Sequence, residues 1–158
     1  MNWAWLFPTT YLLHLAEEYW GGDGYTRHLA QTRGVHLSRL RFLIMAALGF
    51  LLLVAGIIMA QTFKFPQLAL VILGTVVLVN GLSHTLSSIR TRRYDPGLIS
   101  GILIWVPLGM ATLLQLKSTM HTSRYVTGIA IGLVIQGIVS LLVLSGGKQS
   151  QESADHSS

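Results

Sequence analysis

The stretch Trp3-Ala4-Trp5-Leu6-Phe7-Pro8-Thr9-Thr10-Tyr11-Leu12-Leu13-His14-Leu15-Ala16-Glu17-Glu18-Tyr19-Trp20 decides how the chain is read. It approaches the ~20 residues that cross a hydrocarbon core of about 30 Å. Yet it places a histidine and two adjacent carboxylates among apolar neighbours. An acid at that depth must be neutral, paired or bound to a metal. The stretch therefore predicts both a membrane helix and a functional site on it.

Outward from it the chain is almost entirely apolar. Hydropathy divides it into five segments, 3–20, 42–60, 66–89, 98–116 and 126–144, each near the spanning length. The 51% hydrophobic and 11% charged content agree with this, as does a mean hydropathy of +0.56. The predicted fold is all-α, a polytopic membrane bundle of five transmembrane helices forming one domain over 1–145. The polar residues 146–158 are expected to be a disordered tail. The first segment is expected to be retained rather than cleaved, because it has no basic n-region and carries acids where a signal peptide is apolar. Cysteine is absent, which excludes disulfides, thiolate ligands and cysteine nucleophiles.

The net charge of +5 and pI near 10 acquire meaning when counted by loop. Arg27, Arg33, Arg39, Arg41, Arg90, Arg92, Arg93 and Lys148 fall on one side, and Lys64, Lys117 and Arg124 on the other. Basic residues stay on the cytoplasmic side. The expected orientation in the inner (plasma) membrane is therefore N-terminus outside and C-terminus cytoplasmic. Anionic lipid headgroups, rather than nucleic acid, are the expected partners of this charge.

In that topology the first and third segments run in the same direction, so depths can be compared. His14 lies six residues before Trp20, and His84 lies six before Arg90. Both fall in the cytoplasmic third of the membrane. On a helix, Glu17 and Glu18 flank the His14 face at i+3 and i+4, with Tyr11 one turn earlier. The two carboxylates point about 100° apart, so only one is expected to join His14 directly. Asn80, His84 and Ser88 form a polar stripe on the third segment, which needs an inward partner. The His14–Glu18 face is the natural one.

Two chemistries suit these residues. His14, His84 and one of Glu17 or Glu18 would make a two-histidine, one-carboxylate site for Zn or Fe, with open positions and the spare acid as base. His28, from the basic loop, is a candidate additional ligand. A dinuclear carboxylate centre fits less well, because such bundles use Glu-x-x-His in two copies. Alternatively, a carboxylate paired with histidine in an apolar pocket passes protons to or from an apolar substrate without metal. A third reading makes the polar groups interhelical hydrogen-bond glue. His121 and His156 lie away from this face.

The remaining features read as architecture. Gly128, Gly132, Gln136 and Ser140 form a small-residue stripe for close helix packing. Asp95 is expected to cap the fourth helix, followed by Pro96. Pro107 either kinks that helix and opens space or is simply tolerated there. The glycine-rich turn after Trp20 ends the first helix, and residues 25–41 suit an interfacial helix over the cytoplasmic mouth.

His14-x-x-Glu17-Glu18, then Asn80-Gly81-Leu82-Ser83-His84, then Arg93-Tyr94-Asp95-Pro96-Gly97, together resemble the family of small bacterial membrane proteins named after its H-x-x-E-E motif. The likeness covers roughly 11–101. It implies a polytopic membrane protein with a metal or acid–base centre. Five helices with terminal tryptophans are also similar to the tryptophan-rich sensory proteins that bind porphyrin and sterol. The His14 to Glu18 spacing resembles the emopamil-binding type of sterol isomerase. The expected function is a metal-dependent membrane enzyme acting on a lipid-like or other apolar substrate. A metal-free acid–base lipid isomerase and a non-catalytic lipid- or porphyrin-binding protein are the alternatives. Catalytic and ligating roles fall to His14, Glu17, Glu18 and His84. Tyr11, Asn80, Ser88 and Arg93 are expected to support them, Arg93 by holding an anionic headgroup.

Overall fold

The structure, a computed structural model, describes residues 2–155. A short 3₁₀ turn, Asn2–Trp5, leads into α1, Leu6–Trp20. Then follow α2 (Tyr25–Arg33), α3 (Arg39–Thr62), α4 (Pro66–Thr91), α5 (Leu98–Lys117) and α6 (Thr122–Asp155). No strand occurs among the described residues.

Four of these helices, α3 to α6, are long and apolar enough to cross a membrane. That differs from the expected five. The difference is α1, which has only 15 α-helical residues, about 22 Å at 1.5 Å per residue. It also carries Glu17 and Glu18 in its last turn, which lower its hydropathy. The spans expose Leu43, Leu51, Leu52, Leu103, Leu114 and Leu141. An apolar surface of that extent suits lipid rather than water.

The central helix is α4, which packs against α3, α5 and α6, while α1 packs against α3 and α5. Glycines make the approaches close. A Cβ on Gly81 would lie 2.8 Å from the Gly101 carbonyl oxygen, and one on Gly132 would lie 2.7 Å from Thr75 Cβ. Gly128 and Gly132, from the stripe expected on the last helix, thus serve the α4–α6 contact, whereas Ser140 of that stripe is exposed. Phe7, Ile57, Leu70, Val71, Val77 and Trp105 form the core.

Several local expectations are corrected. The interfacial segment is helical only over Tyr25–Arg33; Gly34, in the left-handed conformation, stops it, and Ser38 caps α3 by accepting a bond from Arg41 N. Residues 101–105 of α5, Gly101–Trp105, are π-helical. Pro107 follows two positions later; it lacks an N–H and crowds the carbonyl four residues back, and a widened turn relieves this. The tail expected to be disordered from 146 continues α6 as far as Asp155, since Lys148, Gln149, Gln151, Glu152 and Ala154 are compatible with helix. His156 lies outside the described residues.

Candidate functional site

The site forms where the C-terminal half of α1, the C-terminal third of α4 and the start of α5 meet. His14 and His84 are 2% and 5% exposed, and their ring centroids lie 5.0 Å apart. Each ring has its Nδ1 taken up by a neighbour. His14 Nδ1 is 2.7 Å from Ser100 Oγ, and His84 Nδ1 is 2.8 Å from Asp95 Oδ1. With the proton on Nδ1 donated to these oxygens, both Nε2 lone pairs remain free. They converge with a third lone-pair atom, since Glu18 Oε1 lies 3.7 Å from His14 Nε2 and 3.4 Å from His84 Nε2.

One ligand atom from each of His14, Glu18 and His84 falls within 4.8 Å of the others. Bonds of about 2.1 Å to a tetrahedral ion place ligand atoms about 3.4 Å apart. The two measured Glu18 separations match that spacing closely enough for one ion. His14 Nε2 is buried without a hydrogen-bond partner, a state that costs free energy unless something binds there. The three residues could hold a metal.

Two groups close the cluster. Trp105 stacks on His14 with centroids 3.8 Å apart, aimed there from the π-helical turn. Gly97, at φ 103°, lies against both imidazoles. Glu18, 15% exposed, is the accessible member. It lines a crevice with Tyr25, Arg39 and Phe42, and the Tyr25 ring lies 5.7 Å from that of His84.

Glu17 is directed elsewhere. Its Oε1 accepts bonds from the Tyr94 hydroxyl at 2.6 Å and from Ile99 N at 2.8 Å, and its Oε2 accepts from Ser100 N at 2.6 Å. Both oxygens are therefore engaged with the start of α5, leaving no spare acid to serve as base. Burial and the Glu17 carboxylate push the Tyr94 hydroxyl pKa up, so it stays a donor. The expected cap is thus supplied from α1. Asp95 does not cap α5, which lacks a cap from its own sequence.

Asp95 instead joins two histidines. It is 2% exposed, and its Oδ2 lies 3.1 Å from His28 Nε2. Burial alone would raise the Asp95 pKa, but the bond from His84 outweighs it and holds the carboxyl below its usual range. His28 does fold back over the site, yet it reaches the cluster through Asp95 rather than as a fourth ligand. Tyr11 donates to the Ala46 carbonyl and faces Trp105, its ring centroid 6.2 Å away. The buried Asn80 Oδ1 has no hydrogen-bond partner.

Ser88 and Arg93 serve the connection between helices. Ser88 Oγ donates to the Arg93 carbonyl, and the Arg93 guanidinium reaches Gln31 Oε1. Ser100, Trp105 and Tyr94 are the site residues that sequence reasoning missed. Ser100 and Trp105 carry no spacing signal, whereas Tyr94 and Asp95 sit in the quoted block Arg93 to Gly97, where a buried acid beside proline and glycine is itself unusual.

A family model described as "Protein of unknown function with HXXEE motif" matches residues 5–112, more than half of the chain. The chain belongs to the HXXEE family. The matched span takes in α1 to α4 and most of α5, and with them His14, Glu17, Glu18, His84, Asp95, Ser100 and Trp105. In this HXXEE protein the motif histidine and second glutamate face His84, and the first glutamate faces α5. No curated protein and no solved structure matches the chain.

Proposed function

We propose that this protein is an integral membrane metalloenzyme in which His14, Glu18 and His84 hold one divalent transition metal ion, zinc or iron. Its substrate is lipid-like or otherwise apolar, and the chemistry lies near the cytoplasmic face of the inner membrane. The carrying observation is the convergence of two Nε2 atoms on Glu18 Oε1, with both Nδ1 atoms occupied by Ser100 and Asp95. Histidines backed by an oxygen acceptor are the usual arrangement behind metal ligands. Three protein ligands leave coordination positions for water or substrate, where the ion acts as Lewis acid. The crevice beside Glu18 supports approach from between α1, α2 and α3.

The basic balance supports the orientation without depending on α1. The α1–α3 connection, the α4–α5 connection and the tail fall on one side whether the spans number four or five, because all the counted residues follow α1. The cytoplasmic C-terminus rests on that count. An external N-terminus requires in addition that α1 and its preceding turn cross the bilayer. Lipid is then both solvent and source of substrate.

A second reading draws on one observation. His84 sits between Asp95 at 2.8 Å and Glu18 at 3.4 Å, a pairing with two carboxylates that suits metal-free acid–base chemistry. Metal analysis of detergent-purified protein by mass spectrometry separates the two. The metal reading expects about one zinc or iron per chain, lost in His14→Ala and His84→Ala and reduced in Glu18→Gln. A parent that stays metal-free after growth and reconstitution with either metal overturns it. The acid–base reading then expects Glu18→Gln to stop lipid turnover while the protein remains folded.

A further inference from the structure

We infer that Glu17 is a positioning residue, a clasp from α1 that holds the segment 94–100 and through it orients both imidazoles of the cluster. This deepens the metal reading, but the geometry that carries it does not involve an ion.

Helix α5 begins without a capping side chain of its own, at Gly97 with φ 103°. Leu98 N is bonded to the Asp95 carbonyl, but the Ile99 and Ser100 amides would be left without acceptors inside an apolar bundle. Glu17 supplies two acceptors, one to Ile99 N and one to Ser100 N. A carboxylate at a helix N-terminus is also favoured by the helix dipole. The Tyr94 hydroxyl adds a third bond, at the other end of the segment.

The turn after α1 is shaped to accept that tyrosine. A Cβ on Gly21 would lie 2.8 Å from the Tyr94 oxygen, and one on Gly22 would lie 3.2 Å from its ring. The glycines that end α1 thus seat the ring whose hydroxyl reaches Glu17.

The held segment carries the partner of each imidazole. Asp95 follows Tyr94 directly and accepts from His84 Nδ1. Ser100, whose own N–H is bonded to Glu17 Oε2, presents its hydroxyl to His14 Nδ1. One carboxylate therefore fixes the two groups that set which nitrogen of each ring bears the proton. The two acids of the motif divide the work: Glu18 joins the cluster, and Glu17 aligns it.

The test reads the rings directly. Long-range ¹H–¹⁵N spectra of histidine-labelled, metal-free protein in detergent at one fixed pH report the tautomer of each imidazole. In the parent His14 is expected as a single Nδ1–H tautomer and His84 in a single state with its Nδ1 protonated. Glu17→Gln, which places an amide donor against backbone donors, should give mixed tautomers for both rings with helix content unchanged. Zinc titration of the same variant should show affinity weakened 10- to 100-fold. Tyr94→Phe removes one of the three bonds and should shift the tautomers in the same direction to a smaller extent; it also serves if Glu17→Gln does not fold. Tyr11→Phe, which removes the α1 bond to Ala46, should leave them unchanged.

Single tautomers persisting in Glu17→Gln, or in Tyr94→Phe where only that variant folds, overturn the clasp even if zinc binds normally. Equal mixing in Tyr11→Phe overturns it too, since any loosening of α1 would then suffice. A parent that takes up neither zinc nor iron but shows the expected tautomer shift in Glu17→Gln refutes the metal reading and supports the clasp.

Discussion

Gly97 closes the cluster against His84: a methyl group on its Cα would lie 2.8 Å from Cε1 and 3.0 Å from Nε2 of that ring, and 2.9 Å from Cε1 of His14. The position also has φ 103°, which a residue with a side chain adopts at a cost of about 1–3 kcal/mol. Gly97→Ala is therefore expected to destabilise the protein by at least that amount and to push the two imidazoles apart. Thermal unfolding in detergent measures the first effect. Zinc titration measures the second, and affinity equal to that of the parent would show that the rings need not meet under Gly97.

Much of this cluster is legible in the sequence alone. His14 and Glu18 share a helix face by their i, i+4 spacing, and matched distances from the basic ends bring His84 to their depth. Glu17 is not separable from Glu18 in that way, because its fate depends on the free amides at the start of α5. Sequence places those amides nowhere near α1. Asp95 reads as a cap for the same reason: its position before Pro96 is that of a cap, and only the reversal of α2 puts His28 beside it. Trp105 reads as one more apolar residue, since the π-helical turn that aims it at His14 arises from Pro107 two positions later. The four long spans are legible because composition alone marks them, while α1 lies at the margin of length where hydropathy stops deciding.

The stack of Trp105 on His14, 3.8 Å between centroids, makes the indole a reporter for the cluster. Co²⁺ bound at His14 would lie within a few ångströms of that ring and should quench its emission. Trp3, Trp5 and Trp20 replaced together by Phe leave Trp105 as the single emitter. Saturable quenching by Co²⁺, abolished by His84→Ala, is expected. Emission unaffected by bound Co²⁺ would place the ion away from His14.

Packing between α4 and α5 should be sensitive at one glycine and indifferent at another on α6. Gly101 lies with its Cβ direction 3.2 Å from Gly81 Cα, whereas nothing lies within 4 Å of a Cβ on Gly137. Gly101→Ala should cost about 1–3 kcal/mol by overpacking and shift the π-helical turn that carries Trp105. Gly137→Ala should be neutral or stabilising, because alanine is the better helix former. Unfolding by denaturing detergent compares the two. Equal stability would mean that α4 and α5 separate at little cost.

Orientation supplies the last prediction, and it splits into two parts that fail independently. Eight basic residues against three predict a cytoplasmic C-terminus. That part holds for four spans or five, since removing α1 from the count alters no loop. A reporter fused after Ser158 should be active only if it works in the cytoplasm. The N-terminus depends on α1. Its 15 α-helical residues and the 3₁₀ turn Asn2–Trp5 add up to about 30 Å, and Phe7 joins Leu70 and Val71 in the core, near the end of α4 remote from His84. Both observations favour α1 crossing most of the bilayer, so a reporter ahead of Met1 should be external. Reporters at both ends found in the cytoplasm would leave α1 as a re-entrant helix, with His14 and Glu18 still at the depth of His84. Converting Arg90, Arg92 and Arg93 to glutamine should weaken the orientation preference in either case. An unchanged single topology in that variant would assign the bias to the arginines between α1 and α3.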